Sequence, residues 1–222
     1  MMKLAVNALV KLLAGLLLVG VLLFLPAGTW HYPGAWRFIG LLFVPMLLLG
    51  LFLLIKSPAL LKKRLSAKEK EGTQRGVVGL SALLFLVGFV VGGLDFRFGW
   101  SAVPDWVVGS AAVMFLLAYA LYAEVMRENA YLSRTVEVQE GQRVVDTGLY
   151  GFVRHPMYLA VILLFLTLPL VLGSWYALAV FAVFPVLLAI RIRGEEEVLV
   201  RELPGYAEYR ERVKYRLFPF VW

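Results

Sequence analysis

The chain has 222 residues, of which 61% are hydrophobic and 17% are charged, and its formal net charge is +7. A charged fraction so far below the roughly 25% of soluble domains predicts a membrane protein, since a soluble fold could not bury so much apolar surface. The chain has no cysteine and only two histidines, which excludes disulfides, thiolate nucleophiles and iron–sulfur clusters and leads us to expect no metal site.

Six apolar segments predict transmembrane helices, because a helix needs about 20 apolar residues to cross a bilayer. The segments are 4–25, 34–55, 77–94, 105–124, 156–172 and 175–193. The fifth and sixth are joined only by Leu172-Gly173-Ser174, which predicts a tight helical hairpin. The fifth segment is short, which leaves open whether this hairpin fully crosses the membrane. The sequence predicts an all-α, polytopic integral membrane protein with about six transmembrane helices.

The distribution of lysine and arginine predicts the orientation of these helices. Seven lysines and arginines lie in the loop 56–76, four in 127–155 and seven from Arg191 to the end. The connections 26–36 and 95–104, on the other side of the membrane, carry one between them. By the positive-inside rule, the basic loops and both termini are cytoplasmic, as in a multi-pass protein of a prokaryotic inner or plasma membrane. Topology therefore accounts for the positive charge, and we expect no nucleic acid as a partner.

The polar residues outside the predicted helices are concentrated late in the chain. We divide it into 1–126, with about four transmembrane helices and the basic loop 56–76, and 127–222. In the second part, 127–155 and the residues from 195 onward flank the predicted hairpin. The two helices of a hairpin are antiparallel, so both flanks meet at one membrane face, and we expect the functional site there.

The first stretch that could carry chemistry is Asp146 to Tyr158, with the sequence DTGLYGFVRHPMY. Pro156 suits the first turn of a helix, so Arg154 and His155 are expected at a helix N-terminus. Free backbone donors and the helix dipole favour an anion at that position, and the arginine could bind a carboxylate or a phosphate. An interfacial arginine beside a structural histidine explains the same residues equally well.

The second stretch is the acidic run Glu195 to Glu197, expected in the last turn of the sixth helix. Acidic side chains there oppose the helix dipole and repel one another unless a cation lies nearby. Arg191 and Arg193 could supply that charge, and the spacing favours this explanation over a bound cationic ligand.

The third stretch follows Pro204 and Gly205, which break the chain before a short helix at the cytoplasmic membrane surface. One face of this helix is formed by Tyr206, Tyr209 and Val213. Glu208 and Arg212 are four residues apart and could form a surface ion pair.

Taken in order, DTGLYGFVRHPMYLA, the hairpin and RIRGEEEVLVRELPGYAEYRERVKYRLFPFVW resemble the isoprenylcysteine carboxyl methyltransferase and phospholipid methyltransferase superfamily, over about residues 127–222. The resemblance implies that S-adenosylmethionine binds between the cytoplasmic ends of the last helices and the C-terminal segment. The matching cofactor positions are Gly148, Tyr150, Arg154, His155, Pro156, Tyr158, Glu195, Glu196, Tyr206 and Tyr209. Arg212 also matches, whereas Gly151 stands where members often have arginine.

The chemistry of the cofactor is compatible with these residue types. Arg154 suits its carboxylate, Glu195 or Glu196 suits its ammonium or ribose, and tyrosine faces can flank the sulfonium. We assign Arg212 to the acceptor, whose carboxylate a guanidinium could hold in bidentate geometry. A carboxylate acceptor needs no general base, but an amine would, and His155 is the first candidate for that role.

The leading prediction is carboxyl O-methylation of an isoprenylcysteine-like acceptor that enters from the bilayer. A phospholipid amine or a small thiol is the alternative acceptor. A membrane reductase that uses NADPH is a rival, since sterol reductases have a similar C-terminal region, but the acidic Glu195 and Glu196 argue against binding of a 2′-phosphate. A non-enzymatic membrane scaffold is the remaining alternative.

Overall fold

The computed structural model describes residues 2–65, 72–133 and 135–222, and these residues are mostly helical, with no strand among them. The helices are α1 (Met2–Ala27), α2 (Pro33–Lys56), α3 (Pro58–Leu65), α4 (Gly72–Phe98), α5 (Asp105–Glu128), α6 (Pro156–Leu172), α7 (Trp175–Phe181), α8 (Phe184–Glu202) and α9 (Tyr206–Arg212). Part of the predicted basic loop, 66–71, and Arg134 lie outside the described residues.

Five described helical stretches are long and apolar enough to cross a membrane. They are Met2–Ala27, Pro33–Lys56, Gln74–Phe98, Asp105–Glu128 and Trp175–Glu202. The shorter α6 has 17 residues, so the predicted number of six spans holds only approximately. The outward faces of α1 and α2 expose large apolar side chains such as Leu17 and Ile55, which suits contact with lipid. The prediction of an all-α polytopic membrane protein is confirmed.

The sixth predicted segment differs from the structure in two ways. Helix α7 ends at Phe181 and α8 begins at Phe184, because Pro185 in the first turn of α8 has no N–H and its ring would collide with the preceding turn. Helix α8 then continues to Glu202, since nothing before Pro204 interrupts it. Glu195 therefore lies well inside α8, and the expectation that the acidic run occupies its last turn is wrong.

The core joins helices from both halves of the sequence. It contains a cluster of phenylalanine rings in contact with one another, of which three are buried and two, Phe85 and Phe165, are half-buried: Phe85, Phe89, Phe165, Phe181 and Phe184. At one edge, α2 approaches the end of α6 so closely that a Cβ at Gly34 would overlap the carbonyl oxygen of Leu172. Such contacts between a small residue and a backbone are typical of packed membrane helices.

A buried polar cluster holds the turn between α6 and α7. Both carboxylate oxygens of Asp95 accept hydrogen bonds, one from the backbone N–H of Ser101 at 2.7 Å and the other from the hydroxyls of Ser101 and Ser174 at 2.6 and 2.5 Å. The Tyr32 hydroxyl donates to the carbonyl of Leu172 at 2.9 Å. The buried polar groups of this cluster are thus hydrogen-bonded. The predicted hairpin turn is confirmed, and these bonds tie it to α2 and α4.

Candidate active site

The first turn of α6 is held against the C-terminal segment. Pro156 occupies the first helical position, as the sequence predicts, and His155 precedes it as the N-cap. The backbone N–H groups of Arg154 and His155 donate to the carbonyls of Tyr215 and Arg216, each at 2.9 Å. The loop before α6 and the segment after α9 therefore form one unit, although about 60 residues separate them in the sequence.

Glu196 lies at the centre of this unit and is 3% exposed. Its Oε1 accepts from Arg154 Nε at 2.7 Å and lies 3.2 Å from His155 Nε2, while its Oε2 accepts from Arg216 Nε at 2.8 Å. Arg154 also donates to the carbonyl of Val213 at 2.7 Å. A buried carboxylate with two guanidinium partners and a histidine is well satisfied, so Glu196 cross-links α6, α8 and the C-terminal segment.

Glu195 faces a different set of partners. The hydroxyl of Tyr158 donates to Glu195 Oε2 at 2.5 Å and accepts from Arg191 Nε at 3.0 Å. Glu197, one residue beyond Glu196, is exposed. The three consecutive carboxylates are therefore not equivalent, because each projects in a different direction from α8.

A cleft lies between these residues and the irregular segment that follows α5. Seven of the predicted cofactor residues line it: Tyr150, Arg154, His155, Tyr158, Glu195, Tyr206 and Tyr209. The Tyr209 hydroxyl donates to the backbone carbonyl of Tyr150 at 2.7 Å. Tyr206 is 4% exposed, and its hydroxyl is the one buried side-chain polar atom without a hydrogen-bond partner in the described part of the chain. Burial raises the pKa of the Tyr206 phenol, so this hydroxyl keeps its proton and remains a donor.

The other wall of the cleft comes from residues that the sequence did not single out, between Asn129 and Val145. The Asn129 amide donates to the Tyr150 hydroxyl at 3.0 Å, and Arg64 of α3 donates to the carbonyl of Ser133 at 3.0 Å. Lys63 donates to the side chain of Gln139. Two basic residues of the loop 56–76 thus support this wall, which no local motif could have indicated.

Four predicted site residues lie outside the lining of the cleft: Gly148, Pro156, Glu196 and Arg212. Gly148 has a positive φ of 54°, and a Cβ there would lie 3.1 Å from the carboxyl carbon of Glu128, so its role in the structure is to shape the turn. Pro156 begins α6, and Glu196 holds Arg154 and His155 in place.

Arg212 forms a surface ion pair, but with a different partner from the one that the sequence spacing allowed. Its side chain is 66% exposed and donates to Asp146 at 2.8 Å, and not to Glu208 on its own helix. Asp146 lies just before the turn that carries Tyr150, so this pair links α9 to that turn. The sequence gives no sign of a role for Arg216, because its partner Glu196 comes close only in three dimensions. Among the described residues, no group of three or more His, Cys, Asp or Glu side chains could hold a metal ion.

The C-terminal half of the chain is similar to known proteins. Residues 111–201 match the sequence model of the isoprenylcysteine carboxyl methyltransferase (ICMT) family, which confirms the resemblance over 127–201. The uncharacterized protein YpbQ of Bacillus subtilis (strain 168) is 34% identical over 96 residues, which make up 43% of this chain and 57% of YpbQ. Delta(14)-sterol reductase TM7SF2 of Mus musculus is 34% identical over 91 residues, 40% of this chain and 22% of the reductase. The matches therefore cover little more than half of the first relative and about a fifth of the second.

Proposed function

We propose that this chain is a membrane methyltransferase that uses S-adenosylmethionine to methylate a lipophilic acceptor, with the carboxylate of an isoprenylcysteine-like thioether as the leading acceptor. The observation that carries the proposal is the cleft, in which charged and aromatic side chains converge inside the family-matched range 111–201 and in the helix that follows it. The Tyr206 hydroxyl in this cleft is buried without a hydrogen-bond partner. Burying an unpaired hydroxyl costs free energy of folding unless a ligand or a water molecule accepts its hydrogen bond.

The residues of the cleft fit the chemical groups of this cofactor. The carboxylate of Glu195 would accept from the ammonium or the ribose hydroxyls, and the Tyr206 hydroxyl would donate to an acceptor atom. The Arg154 guanidinium, held by Glu196, would bind the carboxylate of the cofactor. The aromatic rings of Tyr158 and Tyr209 would lie against its sulfonium. Glu196 itself is fully engaged, so of the two predicted glutamates Glu195 is the one we assign to the cofactor.

When bound, S-adenosylmethionine supplies a methyl group on a sulfonium, which a carboxylate, amine or thiolate can displace. The chain itself would align the acceptor and keep water out, and alignment alone can lower a barrier by about 7–11 kcal/mol. No general base is needed for an ionised carboxylate. For an amine acceptor, His155 would accept the proton, although its contact with Glu196 favours a structural role.

Calorimetric titration of the purified protein tests the cofactor. We expect S-adenosylmethionine and S-adenosylhomocysteine to bind with similar affinity, because most of their groups are shared, and NADPH not to bind. Absence of heat with both sulfur compounds, in a sample that unfolds cooperatively, would contradict methyl transfer. Radiolabelled methyl transfer to N-acetyl-S-farnesylcysteine, to phosphatidylethanolamine and to a lipophilic thiol would then identify the acceptor.

Tyr206→Phe tests the same cleft at a single atom. The free protein should be as stable as the wild type or slightly more so, since the hydroxyl has no partner to lose. Affinity for S-adenosylhomocysteine should fall about tenfold, the cost of one hydrogen bond. An unchanged affinity would show that the cofactor does not reach this hydroxyl, and Tyr215→Phe, outside the cleft lining, is the matched control.

A membrane reductase is the second candidate, because the chain shares 34% identity over 91 residues with a sterol reductase. The titration with NADPH decides between the two activities. A protein that binds neither cofactor would fit a membrane scaffold.

A further inference from the structure

Gln74 is a buried amide near the start of α4, outside the family-matched range 111–201. Its side chain is 2% exposed, among the least accessible polar groups of the described chain. Gln74 Nε2 donates to the backbone carbonyl of Arg191 at 3.3 Å, and Gln74 Oε1 accepts from Arg191 Nη1 at 3.3 Å. An amide that forms hydrogen bonds to both the backbone and the guanidinium of one residue helps to fix the direction in which that guanidinium points.

The chain of hydrogen bonds continues from Arg191 to the cleft. Arg191 Nε donates to the Tyr158 hydroxyl at 3.0 Å, and that hydroxyl donates to Glu195 Oε2 at 2.5 Å. A phenol has one hydrogen, so a donor on its oxygen leaves that hydrogen to point at the carboxylate. The guanidinium also polarises the O–H bond, which strengthens the bond to Glu195. Four side chains on α4, α8 and α6 are thereby linked in series.

We propose that Gln74 is a positioning residue for the cofactor cleft, acting through Arg191 and Tyr158 on the carboxylate of Glu195. This inference rests on the proposed function, in which Glu195 binds the cofactor. Gln74 itself does not line the cleft. It would let α4, in the N-terminal half of the chain, control the geometry of a site built from the C-terminal half.

Gly194 provides independent support for this arrangement. A Cβ at this position would overlap Nε2 of Gln74, so only glycine lets the amide reach the backbone of α8. Gly76 lies just beyond Gln74 on the same helix, α4, and is exposed. A Cβ at Gly76 would meet nothing within 4 Å. The two glycines therefore offer a matched pair of substitutions to alanine, one that displaces the Gln74 amide and one that does not.

The test compares Gln74→Leu, Gly194→Ala and Tyr158→Phe with Gly76→Ala as the control. Affinity for S-adenosylhomocysteine is measured by calorimetry, and the unfolding temperature is recorded for each variant. We expect the first three substitutions to weaken binding about five- to tenfold, the net loss expected for one typical hydrogen bond, and Gly76→Ala to bind like the wild type. The double variant Gln74→Leu/Tyr158→Phe should bind no more weakly than Tyr158→Phe alone, because both changes act on the same carboxylate.

Wild-type affinity in Gln74→Leu, or losses that multiply in the double variant, would overturn the inference. Hydrogen exchange of the cofactor-free protein supplies a readout that does not depend on the proposed function. Gln74→Leu should speed exchange of the α8 amides from residue 191 to 196, whereas Gly76→Ala should not. Failure of the wild type to bind the cofactor would refute the proposed function, and unchanged exchange in Gln74→Leu would refute the link itself.

Discussion

At the scale of single residues, Glu196 and Glu197 show how neighbouring identical side chains come to differ. Glu196 is buried among Arg154, His155 and Arg216, whereas Glu197 is exposed. Loss of a partner from a buried charge cluster leaves the remaining charges uncompensated, which typically costs about 3–5 kcal/mol, while a solvated surface charge contributes almost nothing.

We therefore expect Glu196→Gln to lower the unfolding temperature and the affinity for S-adenosylhomocysteine, and Glu197→Gln to leave both unchanged. Thermal unfolding in detergent and calorimetry measure the two effects. Equal losses at the two positions would mean that the acidic run acts only as a cluster of negative charge.

Arg212 has two competing explanations, and Asp146 separates them. If Arg212 holds the acceptor, Arg212→Ala keeps its cofactor affinity but loses turnover by about a hundredfold or more, and Arg212→Lys stays impaired because lysine lacks the planar fork. Asp146→Ala removes the same exposed ion pair, worth about 0–1 kcal/mol, and should leave turnover near normal. Small and equal effects of Arg212→Ala and Asp146→Ala would assign Arg212 to the surface pair.

At the scale of helices, packing depends on a few glycines at points of close approach. Gly34 lies against the carbonyl of Leu172, while a Cβ at Gly40, further along the same helix, would meet nothing within 4 Å. Overpacking of a tight contact costs about 1–3 kcal/mol.

Gly34→Ala should therefore lower the unfolding temperature, and Gly40→Ala should leave it unchanged or raise it, since alanine is the better helix former. Differential scanning measurements on both variants in the same detergent provide the comparison. Equal stability of the two would show that α2 can shift away from the end of α6 at little cost.

At the scale of the whole molecule, the two ends have opposite characters. One end carries the Asp95 cluster and exposed tryptophans, namely Trp30, Trp36, Trp100 and Trp106. The other carries the basic α3, the cleft and α9. Aromatic side chains are enriched at membrane interfaces and basic ones on the cytoplasmic side, so we propose that the cleft faces the cytoplasm.

Single cysteines test this orientation, because the chain has none of its own. A membrane-impermeant thiol reagent added to intact cells should label Ala102→Cys and spare Glu211→Cys, and both positions are exposed. Permeabilised cells should show labelling of both, which controls for reactivity. The reverse pattern in intact cells would invert the topology.

Much of the fold follows from the sequence alone, because it depends on properties that are local along the chain. Runs of apolar residues determine where helices can lie in a membrane, and Gly173 and Ser174 determine the hairpin turn. Pro204 and Gly205 likewise determine where α8 ends and α9 begins. The order of the motifs was also enough to indicate the resemblance and seven of the side chains that line the cleft.

Only the tertiary structure decided which of the predicted side chains are buried in structural contacts and which line the cleft. Burial selected Glu196 as a structural cross-link and left Glu195 in the cleft, although the sequence offers no difference between them. Arg216 and Gln74 form hydrogen bonds to residues of α8. Arg212 pairs with Asp146 and not with Glu208. Charged hydrogen bonds act over about 3 Å, and which groups come that close depends on how helices pack, which no local pattern of residues encodes.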